Sequence, residues 1–465
     1  MTDPVLLAYG DRQYTRAELN AQTGGLATVL YDRGVRPGDR VAVMSSNRPE
    51  FVMALRAICG LGGAVVLLSP AWKRGEVDHA LALTEPRYAV GDHPVLAEAM
   101  PMLHLDEPVA PSDRQFDELD PDADAVFVFT SGTTGMPKAA RHTHRAFGAA
   151  IAQWRAALEL SSTDRMQIVT PPSHILGLLN IATALDAGAW IRLHPRFDVD
   201  AMLRHVESDR ITVEMAVAPI AMALAAHPDL ETYDLSSLRY VMWCATPVTK
   251  SVADTVTRRA GVRWVTAYGT SEVPVIACCP LDDARLDTVG KPIPGVDVRI
   301  VSEDDSMPLG PGEDGEIQVR SDAVMSGYLP DDASASAFSA GYYRTGDVGQ
   351  LDADGFLRVT DRSKELIKVR GFQVAPAEVE AVLHGHPAVA DCAVFGVPDV
   401  ANGEAIVAAV ARSGAVEAAE LVALVGARLA SYKRPSRVIF VEEIPRLPSG
   451  KVLRRVLKER LWTSV

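Results

Sequence analysis

Thr130-Ser131-Gly132-Thr133-Thr134-Gly135-Met136-Pro137-Lys138 gathers two glycines, four hydroxyl side chains and a lysine into nine residues. The apolar run Val126-Phe127-Val128-Phe129 leads directly into it. Glycine lets backbone amides approach an anion closely, hydroxyls donate to phosphate oxygens, and lysine adds a point charge. The segment therefore reads as a phosphate-cradling loop at the end of a buried strand. It is not the common G-x-x-x-x-G-K-[ST] loop, because Met136 and Pro137 stand between the last glycine and Lys138.

Four further segments suit the same ligand. Tyr268-Gly269-Thr270-Ser271-Glu272 follows a strand pattern at 262–267 and so falls at a strand's carboxyl end, where open α/β sheets bind ligands. It offers an aromatic face, two hydroxyls and a carboxylate able to hold Mg²⁺. Tyr343-Arg344-Thr345-Gly346-Asp347 is expected to place an acid in a tight turn, suited to two ribose hydroxyls. Asp361-Arg362 can add a ribose or phosphate contact, and Leu447-Pro448-Ser449-Gly450-Lys451 presents a lysine on a glycine turn.

The elements that must carry these residues alternate in type. Thr15 can cap a helix with Glu18 three residues on, and Leu19, Leu26 and Leu30 then line one face. Short apolar strands are expected at 41–44, 64–68, 126–129, 166–169, 211–217, 238–242 and 262–267. Helices fall between them, at about 50–60 and after His144, with Phe147, Ile151, Trp154 and Leu158 inward. Strand, helix and strand in series imply mostly parallel sheets flanked by helices, an α/β fold. Beyond about residue 285, short strands with Gly/Asp/Pro turns suggest a small β-rich subdomain at 285–361, including a hairpin through Asp352-Ala353-Asp354-Gly355. A charged stretch, Asp361-Arg362-Ser363-Lys364-Glu365, then marks a boundary before a compact final unit.

At 465 residues, 48% hydrophobic and 23% charged, the chain is an ordinary globular sequence of roughly two to four structural units. Its net charge of −14 argues against nucleic acid as the main partner. The stretch 431–465 is the exception, with nine Lys or Arg against three Glu, and could meet anionic groups. Five cysteines without C-x-x-C spacing read as buried free thiols in a reducing compartment. The start, Met1-Thr2-Asp3-Pro4, lacks the pattern of a signal peptide, and no apolar run reaches the length of about eighteen residues that a membrane span needs. A cytoplasmic protein with no membrane span is expected. Nothing in the sequence determines its oligomeric state.

In order and spacing these motifs resemble the adenylate-forming superfamily of acyl-CoA synthetases, firefly luciferases and adenylation domains, over essentially the whole chain. The stretch Asp361-Arg362-Ser363-Lys364-Glu365-Leu366-Ile367-Lys368-Val369-Arg370-Gly371-Phe372-Gln373-Val374-Ala375-Pro376-Ala377-Glu378 is very similar to that of 4-coumarate–CoA ligases. The resemblance implies a large N-terminal domain at 1–361, a hinge at 362–365 and a smaller, mobile α+β cap at 366–465. It implies two half-reactions: carboxylate plus ATP gives acyl-AMP and pyrophosphate, then a thiol takes the acyl group. Thr130, Ser131, Gly132, Thr133, Thr134, Gly135 and Lys138 would hold the β,γ-phosphates, with Thr134 and Glu272 at Mg²⁺. Ser271 would touch the α-phosphate beside Gly269 and Thr270. Tyr268 would stack near adenine beside the backbone of Ala245, Thr246 and Pro247, with Gln373 near the AMP. Asp347 and Arg362 would bind ribose, and Lys451 would bridge the carboxylate and α-phosphate. Lys364 matches the hinge position, Lys368, Val369, Arg370 and Gly371 the strand lining the thiol tunnel, and His174 a gating residue beside the acyl carboxylate.

The chain departs from the family around the acyl group. Trp243-Cys244-Ala245-Thr246-Pro247 stands where small residues are common, and Val273-Pro274-Val275-Ile276 adds bulk after Glu272. With Trp243, Cys244, Val273 and Pro274 as pocket walls, the expected substrate is a small or compact acid and the expected acceptor CoA. Two alternatives stand beside it. One is an adenylating enzyme that serves a carrier-protein thiol, an amine or another acceptor, or that activates a non-carboxylate oxyacid. The other is a catalytically dead nucleotide-binding scaffold, which the presence of Lys451, Glu272 and Asp347 disfavours.

Overall fold

The structure is a computed structural model that describes residues 3–116, 118–130, 137–245, 248–302, 307–362, 365, 367–369, 372–399, 403–429, 431–446 and 452–462. The expected α/β architecture is present. A nine-stranded sheet has at its centre the parallel strands Trp264–Tyr268, Tyr240–Trp243, Val213–Ala216, Arg165–Ile168, Trp190–Leu193 and Val5–Tyr9, with short antiparallel strands at its edges. A seven-stranded sheet runs Gly327–Leu329, Lys138–Thr143, Asp124–Thr130, Ala64–Leu67, Arg40–Met44, Tyr88–Gly91 and Leu103–His104.

Side-chain alternation along these strands builds three apolar layers. Val41 and Val43, Val65 and Leu67, Val126 and Val128, and Met166 and Ile168 all face the main core. That core also takes up the buried faces of the helices Arg16–Asp32, Pro49–Gly60, His144–Ala157 and Ile175–Ala187, which therefore lie between the two sheets. Ala42, Met44, Val66 and Phe127 point the opposite way, toward the helices Arg74–Thr84 and Pro94–Ala99. Val241, Trp243 and Ala216 face a third layer under the helices Val199–Asp209, Ala218–Ala226 and Lys250–Ala260. The first of the central helices starts as read from the sequence: Thr15 Oγ1 accepts from Glu18 N at 3.2 Å while Glu18 accepts from Thr15 N at 2.8 Å.

The β-rich part is a five-stranded antiparallel sheet of Val296–Val301, Gly315–Ser321, Tyr342–Leu351, Phe338–Ser339 and Leu357–Arg362. One segment expected to belong to it does not: Gly327–Leu329 leaves to pair with Lys138–Thr143 in the seven-stranded sheet. The C-terminal part carries its own five-stranded sheet and a separate core around Val379, Leu383, Val394, Ile406 and Val410. No helix of the described residues is long and apolar enough to cross a membrane. All five cysteines are free, and four of them are buried.

Three buried polar residues, Gln167, Glu214 and His194, interrupt the apolar pattern on the outer face of the nine-stranded sheet. Gln167 donates to Glu214 Oε2 at 2.5 Å, and His194 Nε2 lies 2.7 Å from Gln167 Oε1. Burial without a cationic partner pushes the Glu214 carboxyl up to about 8, and burial, helped by His205 and Arg192, pushes the His194 imidazole down to about 4. Folded Glu214 thus keeps its proton above the ordinary 4.5, so the folded state binds more protons than the unfolded chain between these values. Its contribution to stability is complete at low pH and lost as pH rises toward 8. Glu214→Gln should remove that loss. The stability difference between wild type and variant, read from denaturant midpoints, should shift against wild type by on the order of 3 kcal/mol from about pH 5 to 8. A difference independent of pH would refute a protonated Glu214.

Candidate functional site

The parallel strands Val213–Ala216, Tyr240–Trp243 and Trp264–Tyr268 end on one edge of the nine-stranded sheet. After the second, Ala245 takes a left-handed backbone, φ 65°, a strained choice for a non-glycine residue of the kind that clusters at functional sites. After the third, the chain folds tightly on itself. A Cβ on Gly269 would lie 2.1 Å from the Pro274 carbonyl oxygen, so only glycine fits. Thr270 Oγ1 accepts from the amides of Glu272 and Val273 at 3.2 and 3.1 Å, and Thr270 N donates to Val273 O at 2.9 Å. This turn sets Ser271 and Glu272 at its tip.

The tip rests on the other large sheet. His142, wholly buried in Lys138–Thr143, donates from Nε2 to the Ser271 carbonyl at 2.8 Å. Burial pushes its pKa down to about 4, so the ring is neutral at pH 7. The same strand begins at Lys138, which pairs with Thr130 across the hairpin. Both ends of the phosphate-cradling loop are therefore cross-strand neighbours. Ser131, Gly132, Thr133, Thr134 and Gly135 lie outside the described residues.

Asp347 is 4% exposed, and its Oδ2 accepts from the Tyr268 hydroxyl at 2.5 Å. Two motifs separated in sequence by some eighty residues thus meet directly. The tight turn expected around Asp347 is corrected. The residue sits within the strand Tyr342–Leu351, where Gly346 at φ 69° and a register shift bend the ladder without ending it. That strand pairs with Leu357–Arg362 so that Asp347 stands opposite Arg362. The hairpin brings together two acid-and-arginine motifs that the sequence offered separately.

Glu272 is 9% exposed, and its Oε1 accepts from the Tyr328 hydroxyl at 2.8 Å. No lysine, arginine or histidine among the described residues forms an ion pair with it. A buried carboxylate without a cation fits a divalent ion, whose remaining ligands come from phosphate oxygens and water. Tyr328 and His142 were not singled out from sequence. Gly327, which opens the short strand Gly327–Leu329, and Pro330, which follows it, are a signal for the first, while nothing distinguishes a histidine in an apolar strand.

On the acyl side, His174 caps the helix Ile175–Ala187, its Nδ1 accepting from Leu176 N at 3.4 Å. That bond leaves Nε2 as the protonated, donating nitrogen, and burial lowers the ring's pKa. Cys244 and Val273 are buried in the main core, and burial pushes the Cys244 thiol up to about 12. Pro274 is half-buried and closes the Gly269 turn. Trp243 as a pocket wall is corrected: strand alternation sends its indole to the opposite face, 1% exposed, with its ring centroid 5.3 Å from that of Trp264. Thr246, Pro247, Lys364, Arg370, Gly371 and Lys451 lie outside the described residues, as do the side chains of Arg362, Lys368 and Gln373. The backbone pairs Lys368 with Gln373 across the hairpin of Ile367–Val369 and Phe372–Val374, and Val369 is 8% exposed.

This arrangement joins a lysine-flanked hairpin loop, a hydroxyl-rich turn whose carboxylate has no cationic partner among the described residues, and a buried aspartate. Comparison with known proteins agrees with it. Residues 2–329 match the family described as AMP-binding enzyme, and 378–451 the AMP-binding enzyme C-terminal domain. A feruloyl-CoA synthase from Amycolatopsis sp is 36% identical, covering 97% of this chain and 95% of its own. A 4-coumarate–CoA ligase from Solanum tuberosum is 33% identical, covering 98% and 90%. The structure of o-succinylbenzoate CoA synthetase from Bacillus subtilis, in complex with its acyl-adenylate intermediate, superposes with a TM-score of 0.90 at 30% identity, covering 98% and 95%. The strand-end turn at Ser271 and Glu272, the Tyr268–Asp347 contact and these matches agree: the chain belongs to the AMP-binding enzyme family.

Proposed function

We propose that the protein is an AMP-forming acid–CoA ligase that activates a compact, single-ring or similarly small carboxylic acid. The observation that carries the nucleotide half is the 2.5 Å bond between Tyr268 and Asp347 beside the Glu272 turn. It supports the reading of Asp347 as the ribose-side acid and Glu272 as the cation-side acid of one nucleotide site. The named substrates of the relatives, ferulate and 4-coumarate, supply the size class of the acid.

In the first half-reaction a carboxylate oxygen attacks the α-phosphorus of ATP. The bond from α-phosphorus to the bridging oxygen breaks, and pyrophosphate leaves. Two anions must approach, and charge grows on the phosphoryl oxygens. Lys138, the hydroxyls of residues 130–134 and Ser271 stabilise those oxygens, and Asp347 and Arg362 orient the ribose. His174 donates from Nε2 to the acid's carboxylate. Bound at Glu272 and Thr134, Mg²⁺ would neutralise phosphate charge and withdraw electrons from the reacting phosphorus. Lys451 bridges the two reacting anions. In the second half-reaction the CoA sulfur attacks the acyl carbon, the carbon–oxygen bond to AMP breaks, and AMP leaves. The segment 362–365 acts as the hinge about which the cap, 366–465, turns between the two, replacing Lys451 with the strand that carries Lys368 and Val369.

Lys451→Ala should lower adenylation by ~10²–10³-fold, the loss of one strong transition-state donor, and affect thioester formation from supplied acyl-AMP far less. Equal losses in both half-reactions would contradict the assignment. Pyrophosphate release across hydroxycinnamic, benzoic, short aliphatic and long-chain acids should favour the compact ones, with AMP release dependent on CoA. Turnover with an amine or carrier protein but not CoA would select the other acceptor class. Trp243→Phe should lower unfolding stability by roughly 1–3 kcal/mol and leave the order of acid preference intact. A changed preference would return the indole to the pocket.

A further inference from the structure

Glu272 is held at both ends of its residue. Its backbone oxygen accepts from Met325 N at 2.8 Å, and its carboxylate Oε1 accepts from the Tyr328 hydroxyl at the same distance. The Tyr328 oxygen lies 3.2 Å from the hydroxyl of Tyr343. A phenol has one proton to give. Tyr328 gives it to the carboxylate, so Tyr343 must donate to Tyr328, and the chain runs in one direction, Tyr343 to Tyr328 to Glu272. Tyr343 is 4% exposed, and burial followed by the nearby Glu272 charge keeps its phenol protonated.

Tyr328 also has a fixed seat. Its residue pairs with Ala140 in the strand that begins at Lys138, its amide donates to Ser334 Oγ at 2.8 Å, and the Lys138 ammonium lies 5.6 Å from its ring centroid. A single aromatic side chain thus touches the strand leaving the phosphate loop and the carboxylate on the facing turn.

We infer that Tyr328, backed by Tyr343, is a positioning residue for the cation-binding carboxylate: it occupies Oε1 and leaves Oε2 to meet a divalent cation that arrives with the nucleotide. The inference rests on Glu272 being the cation-side acid of an adenylating site. An ordered carboxylate loses less freedom on binding the ion, and the hydroxyl bond on Oε1 turns Oε2 toward the open side as the first oxygen a cation meets. Hydrogen-bond partners of metal ligands commonly contribute ~10–100-fold in metal affinity.

The test is calorimetric binding of α,β-methylene-ATP with Mg²⁺ and with excess chelator, so that it does not depend on turnover. In wild type, Mg²⁺ should tighten binding. In Tyr328→Phe that tightening should shrink by ~10-fold or more while the chelator-treated affinity stays within about twofold. Tyr343→Phe should fall between. Glu272→Gln should abolish the Mg²⁺ dependence. If Glu272→Gln keeps that dependence, the reading of Glu272 fails. If Glu272→Gln loses it but Tyr328→Phe does not, the positioning role alone fails. An equal loss with and without Mg²⁺ in Tyr328→Phe would mark a purely structural tyrosine and also overturn the inference.

Discussion

The hydrogen bond from His142 to the Ser271 carbonyl joins the two large sheets where the site is built. His142 belongs to the strand leaving the phosphate loop, and Ser271 to the turn at the end of a central strand of the other sheet. Without a direct tie, the two loops would keep their spacing only through the helices packed between the sheets. Bond and packing act together, since the helices Arg16–Asp32, Pro49–Gly60, His144–Ala157 and Ile175–Ala187 bury apolar faces into a core shared by both sheets. The imidazole makes the bond as a neutral donor. In a wholly buried position a charged ring would lose hydration that one carbonyl cannot replace.

The strand Lys138–Thr143 explains why so much depends on one element. It pairs with Asp124–Thr130 on one side and Gly327–Leu329 on the other. Lys138, His142 and, through its neighbour, Tyr328 are all fixed by that one ladder. The short strand Gly327–Leu329 therefore belongs with the strand leaving the loop at 130–138 rather than with the β-rich sheet that surrounds it in sequence.

Local signals in the sequence announce the central features of the fold. Thr15 with Glu18, the apolar strands at 41–44 and 126–129, and the inward Phe147, Trp154 and Leu158 appear in the structure as read. The strand read at 64–68 ends at Leu67, and Ile151 is only partly buried beside a buried Ala150. The Tyr268–Glu272 segment falls at a strand's carboxyl end, as its flanking pattern implied. What stayed hidden is non-local. That Asp347 and Arg362 face each other follows from a hairpin register spanning Gly346, a residue that by itself suggests a turn. That Trp243 faces away from the site follows from strand parity: Met242 and Cys244 enter the main core, while Val241 and Trp243 enter the outer one. A shift of one residue reverses such an assignment, and composition alone does not set it. Buried polar residues such as His142 and Glu214 are the least legible, because their partners are fixed only when distant strands align.

The two acids of the site share one device. Asp347 accepts from the Tyr268 hydroxyl through Oδ2, and Glu272 from the Tyr328 hydroxyl through Oε1. Both acids are buried to below a tenth exposure, where an ionised carboxylate without donors would be strongly disfavoured. A tyrosine hydroxyl satisfies one oxygen without cancelling the charge, as an arginine or lysine would. At Glu272, which forms no ion pair among the described residues, the negative charge is then left available for a cation. An arginine in the place of Tyr328 would make a stronger bond to Glu272 and a poorer cation site. The ligand would first have to break a buried ion pair, and that cost commonly exceeds what a new contact returns. A neutral donor thus orders the Glu272 carboxylate in advance while leaving its charge available, which is the form of preorganisation that a phosphoryl-transfer site requires.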